Sequence, residues 1–208
     1  MAFGATKPAP TGRRRRSTSH CNLTRVKGHM SNTIIEETFQ RLYGQPCWGI
    51  HFDPRLNLSL NFGKPSLRIR EPYRSKAKSE VIQRLAARRS ARLRGQWWLW
   101  MFCSYWRLSS HGTDSVTGSC SNSKIQRALV QLSGQKLVSA TIKPATGATR
   151  FAFDLGCLLE CRRFAQDDAD LWTLYKPSGY TLSVHGDGTM SHHRGSRAKK
   201  QFRPIEDR

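Results

Sequence analysis

From residue 56 to residue 62 the chain alternates strictly, with Leu56, Leu58, Leu60 and Phe62 set against Asn57, Ser59 and Asn61. A period of two marks a strand with one face in a core and the other toward solvent. A strand over Cys47–Phe52 precedes it across the Asp53-Pro-Arg turn, and one over Ser66–Glu71 follows the Gly63-Lys-Pro65 turn. Ser90–Arg94 reads as a further short strand, because Leu93 lies between Arg92 and Arg94. After Gly95, Trp97–Leu108 is apolar on both sides. Trp97, Leu99, Met101 and Tyr105 form one face, and Trp98, Trp100, Phe102 and Trp106 form the other. That pattern predicts a central strand covered above and below.

The last third repeats the strand signal. Leu137–Ile142, Arg150–Leu155, Leu158–Arg163, Leu171–Tyr175, Tyr180–Val184 and a short Thr189–His192 are separated by glycine-bearing turns. The His185-Gly-Asp-Gly turn predicts a type I′ hairpin. Three stretches carry a helical period instead: 33–43 (Ile34, Ile35, Phe39, Leu42), 76–88 (Val81, Ile82, Leu85 and Ala86 inward) and 123–132 (Ile125, Leu129, Leu132). The sum predicts an α+β fold: a single domain, mainly antiparallel sheet, with two or three helices packed on it. Its expected core includes Phe39, Trp48, Leu58, Leu60, Leu99, Met101, Phe102, Leu129, Phe151, Phe153, Leu155 and Trp172.

Charge divides the 208 residues. The formal net charge is +21. Residues 1–29 hold seven basic side chains and no acid, including the run Arg13–Arg16, and predict a disordered basic tail. Met30-Ser-Asn-Thr followed by Ile-Ile-Glu-Glu reads like a fresh start with a capped helix, which leaves the upstream stretch as a basic tail or an extended gene start, with Met1 and Met30 both open as the true start. The domain is expected over 30–192, and 193–208 is expected to be a second disordered basic tail. Inside the domain the charge is concentrated. Lys64–Arg107 holds twelve basic residues against Glu71 and Glu80. No stretch approaches the roughly 18 apolar residues of a membrane-spanning helix, and no secretory signal is present. The expectation is therefore a cytoplasmic protein with reduced cysteines and no membrane partner.

Phe153-Asp-Leu-Gly156, the stretch Asp170–Gly179 (DLWTLYKPSG), Gly186-Asp-Gly188, the stretch Gly44–Gly49 (GQPCWG) and the stretch Gly95–Trp100 (GQWWLW) together resemble a group of small uncharacterised bacterial proteins. The likeness spans about residues 32–192. Its motifs are turn glycines and buried aromatics, so it implies a bacterial cytosolic protein of that fold and carries over no functional residue.

Recognisable chemistry is sparse. Cys157-x₃-Cys161 is a loose pair, with Cys103, Cys120, His185, His192 and His193 as the remaining candidate ligands. Structural zinc uses tighter paired spacings, so no metal and no cofactor is expected, and the cysteines read as small buried hydrophobes. Cys47 and Cys103 lie beside no nucleophile signature, and no serine elbow, metalloprotease helix or phosphate loop occurs. No catalytic residue is assigned. An enzyme without a recognisable motif is one alternative. The positive signal is basic: Arg68, Arg70, Arg84, Arg88, Arg92 and Arg94 near Trp97, Trp98 and Trp100. Arg68 and Arg70 share a strand face, as do Arg92 and Arg94. If the two strands are neighbours, the arginines form a basic sheet surface. Such a surface suits an acidic protein partner, as in a non-enzymatic binding protein of the immunity or accessory type. The alternative is nucleic acid, with phosphates on the arginines and bases on the aromatics.

Overall fold

The computed structural model describes residues 23–53, 57–102, 104–110, 113–163, 169–195 and 201–206. Antiparallel sheet dominates it. One sheet has seven strands in the order β1 (Cys47–Asp53), β2 (Asn57–Arg70), β3 (Ser90–Met101), β9 (Asp170–Tyr175), β10 (Tyr180–His185), β11 (Thr189–Arg194) and β12 (Phe202–Pro204). The other has five: β5 (Thr113–Thr117), β4 (Ser104–Ser110), β8 (Leu158–Arg163), β7 (Thr149–Phe153) and β6 (Leu137–Ile142). The helices are α1 (Leu23–Gln40), α2 (Glu80–Ala86) and α3 (Asn122–Leu132).

The two sheets bury their apolar faces against each other. Leu58, Leu60, Phe62, Trp97, Leu99, Met101, Trp172, Leu174, Leu182 and Val184 come from the larger sheet, and Trp106, Leu108, Phe151, Phe153, Leu159 and Cys161 from the smaller. Phe52 meets Trp106 edge-on across the interface at 5.6 Å. Trp172 Nε1 donates across it to Thr149 Oγ1 at 2.8 Å, which satisfies an indole N–H that burial would otherwise strand. Phe39 of α1 wedges in beside them, 6.0 Å from Phe151 and 5.8 Å from Trp172. At one end the β6–β7 and β10–β11 turns interlock. A Cβ on Gly188, which sits at φ 79°, would run into the Pro144 carbonyl.

This corrects the expected α+β arrangement. Alternation shows that a sheet has one apolar face without saying what covers it, and here the cover is a second sheet. α1 and α3 fill the margins of the core through Phe39 and through Ile125, Leu129 and Leu132. α2 buries only Ala86. Its expected span, 76–88, is cut to seven residues, and Val81, Ile82 and Leu85 face out rather than in.

Other departures have local causes. The two strands expected on either side of Gly63-Lys-Pro65 are one strand, β2, because a register shift between Phe62 and Pro65 absorbs the turn residues. Trp97–Leu108 is not one strand. It ends at Met101 and resumes as β4 in the other sheet, so the alternation restarts and Trp106 points into the core. β5 pairs with β4 as the edge of the smaller sheet. Of the two glycines in the β10–β11 turn, Gly188 sits at positive φ and Gly186 does not, whereas a type I′ turn needs positive φ at both central residues. Within the tail expected over 193–208, Phe202–Pro204 pairs with β11 and Ile205 is buried. α1 begins at Leu23, within the tail expected over 1–29; Arg13–Arg16 lie outside the described residues. No helix among those residues is long and apolar enough to cross a membrane.

Candidate functional site

β2 and β3 continue past their neighbours as a two-stranded arm, residues 64–70 paired with 90–95 and capped by α2. The register settles the condition left open by the sequence. Arg68 stands directly opposite Arg92, Ser66 opposite Arg94, and Arg70 opposite Ser90. Four arginines therefore share one face of the ribbon. Leu67, Ile69 and Leu93 take the other and are 61 %, 57 % and 66 % exposed. Arg84 and Arg88 stand apart at the tip, on and just after α2.

The arm leaves the sheet at a built bend. Gly95 has no room for a side chain, since a Cβ there would lie 2.6 Å from the Phe62 carbonyl oxygen. Asn61, buried on the outward side of β2, ties the bend to the neighbouring strand. Its Oδ1 accepts from Gly95 N at 2.9 Å, and its Nδ2 donates to the Gly49 carbonyl at 3.0 Å. Trp48, expected in the core, lies half-buried at this bend and donates from Nε1 to the Gly63 carbonyl at 2.8 Å.

Arm and sheet together enclose an open groove of about 560 Å³. Arg68, Arg70, Arg92 and Arg94 line it from the arm, and His51, Ser59, Asn61 and Trp98 from the sheet. Among the described residues, no carboxylate lines it. The guanidinium of Arg94 stacks 4.1 Å from the Trp98 ring centroid and 5.2 Å from that of Tyr175. Burial lowers the pKa of Arg94, and the nearby Arg68 adds to the effect. Burial raises the Tyr175 phenol, while Arg94 pulls it back.

From Trp98 the aromatic surface runs on along β3. Trp98 and Tyr175 stack at 4.7 Å, Trp98 and Trp100 at 5.7 Å with 11° between planes, and Trp100 and Phe102 at 5.2 Å. These rings occupy the face that both-sided hydrophobicity had assigned to a covered strand. The described structure leaves them partly open, with Phe102 43 % exposed. Sequence reasoning therefore placed Phe102 wrongly in the core and missed Tyr175, which reaches the row only through the β3–β9 pairing Trp98↔Tyr175.

The candidate catalytic and metal residues are dispersed or inert. Burial pushes the Cys47 and Cys161 thiols up to about 12, and Cys47 Sγ donates to the Leu132 carbonyl at 3.0 Å. Cys157 receives a hydrogen bond from Gln135 Nε2. Cys103 lies outside the described residues. Among those described, no three His, Cys, Asp or Glu converge as a metal-ligand set. His192 pairs with Lys176 Nζ at 3.2 Å, and His185 with Asp187 at 3.0 Å, both away from the groove. Compared with protein-family models, with curated proteins and with solved structures, the chain matches none.

Proposed function

We propose that this is a nucleic-acid-binding protein whose ligand occupies the groove between the β2–β3 arm and the outer face of the large sheet. The carrying observation is the Arg68↔Arg92 pair. Like charges directly opposed across two strands destabilise a sheet. Here they stand beside Arg70 and Arg94 in a groove with no acidic lining residue among the described residues. A phosphate chain compensates Arg68, Arg92 and Arg94 together, while Arg70 already donates to the Leu85 carbonyl at 2.7 Å, and guanidinium suits phosphate through its planar, bidentate donors. The stacked aromatics at the groove's end add a surface that a merely solubilising charge patch has no use for.

Full-length protein, freed of carried-over nucleic acid by a high-salt wash, is titrated against fluorescently labelled oligonucleotides at several salt concentrations. Arg68→Glu with Arg92→Glu is expected to weaken binding at least tenfold while leaving the circular dichroism spectrum unchanged. Wild type and the double variant both keep the Arg13–Arg16 run, so equal affinity for the double variant would assign binding to charge outside the groove and remove this reading.

A second reading, a non-enzymatic protein that holds an acidic protein partner, is favoured by Leu67, Ile69 and Leu93 on the opposite side of the arm. An apolar patch rimmed by charge is a common protein-docking surface. Leu67→Ser, which adds no charge and lies outside the groove lining, separates the two. It weakens protein capture at least tenfold under this reading and leaves oligonucleotide affinity within twofold under the first.

A further inference from the structure

The groove and the aromatic row lie on one continuous surface, and their geometry is selective. Arg94 belongs to both. It lines the groove with Arg68 and Arg92, and its guanidinium rests on Trp98 and Tyr175. Beyond it, Trp98, Trp100 and Phe102 occupy alternate positions at the end of β3, on the side of the large sheet that faces away from the core. The cationic track therefore leads directly onto a row of rings.

Spacing decides what that row accepts. Successive ring centroids are 5.7 and 5.2 Å apart. Bases in a duplex step by about 3.4 Å along each strand, and each base face is already covered by its neighbours. A duplex therefore presents only phosphates and groove edges to this surface, and the rings gain nothing from it. A single strand has free base faces and an adjustable step, so its bases can lie on aromatic rings while its phosphates follow arginines. The Phe102 end of the row is the most open.

Resting on the nucleic-acid reading above, we infer that the ligand is single-stranded, with phosphates on Arg68, Arg92 and Arg94 and bases stacked on Trp100 and Phe102. The shared chemistry is an unpaired base on a phosphodiester chain, which DNA and RNA both supply. Stacking takes no account of base identity, so sequence preference is weak.

The test uses full-length protein with 12-nucleotide dT and rU strands and with a 12-base-pair duplex, read by anisotropy of a terminal dye. The single strands are expected to bind at least tenfold more tightly than the duplex and to quench tryptophan fluorescence. Comparison of dT with rU shows whether the 2′-hydroxyl is sensed. Phe102→Ala and Trp100→Ala are each expected to weaken single-strand binding roughly 5- to 100-fold, in line with single-aromatic deletions elsewhere. Duplex binding should stay the same, and Phe102→Tyr should restore the loss. Phe102 is exposed enough that its truncation tests stacking even if the Trp100 variant folds poorly. Equal single-strand and duplex affinity overturns the inference. So does unchanged single-strand binding by Phe102→Ala when Arg68→Glu with Arg92→Glu abolishes it, an outcome that leaves the broader nucleic-acid reading standing. If the arginine variant also binds normally, the broader reading fails as well.

Discussion

Asn61→Ala removes the side chain that holds the base of the arm. Two hydrogen bonds go with it, from Gly95 N and to the Gly49 carbonyl. The Gly95 N–H is buried and has no route to water, so it costs the full desolvation penalty of an unmade bond, about 1–3 kcal/mol. The Gly49 carbonyl belongs to an exposed residue and can rehydrate, which limits that loss to about 0.5–1.5 kcal/mol. Together they give a destabilisation of about 1.5–4.5 kcal/mol. For a chain of this size, each kcal/mol lowers the melting temperature by about 2–4 °C. Urea unfolding followed by far-ultraviolet circular dichroism reads this as a lower midpoint with an unchanged slope. Ser59→Ala, on the same outward face two residues earlier, serves as the control and should stay within about 0.5 kcal/mol of wild type. A loss below about 0.5 kcal/mol for Asn61→Ala would show that the bend does not depend on this side chain.

Phe39→Ala should cost about 3–5 kcal/mol, because it empties a site against Phe151 and Trp172 between the two sheets; denaturant titration measures it. The thiols should separate by reactivity. Cys120, partly exposed and with its pKa lowered by hydrogen bonding at Thr117, is alkylated at pH 8 well before Cys47 and Cys161, whose thiols burial holds near 12; timed mass spectrometry of peptides orders them. Burial, then Lys176, depresses His192 below its ordinary 6.5. The unfolded chain therefore takes up that proton more readily, and stability should fall as pH drops below about 6.5. His192→Gln should flatten that part of a melting-temperature profile run between pH 7.5 and 5; an unchanged slope would show that His192 does not drive it.

What the sequence discloses and what it hides follow from how far each signal reaches. Alternation in 57–62 and the helical period of 123–132 are local: the helix formed where expected, and the strand formed but runs on to Arg70. Arg68 and Arg70 on one face, and Arg92 and Arg94 on another, were legible too; only strand pairing could place Arg68 opposite Arg92. Trp97–Leu108 misled because a strand that leaves one sheet for another looks the same as a strand buried on both sides. Once it breaks after Met101, Trp106 becomes core, while Trp98, Trp100 and Phe102 line an open face. β12 left little trace, since Phe202-Arg-Pro204 is too short to show a period and depends on β11 for its pairing. Leu155, expected in the core, is 72 % exposed because β7 ends at Phe153 and a turn carries it outward.

Groove arginines that contact phosphate displace counterions, and the salt dependence of binding measures that directly. Plotted as log affinity against log salt, each phosphate contact on a single strand contributes a slope of about −0.7. Arg68→Ala with Arg92→Ala, compared with wild type on the same dT strand, is expected to reduce the slope by about 1.4. Parallel lines for the two proteins, at any affinity, would contradict it.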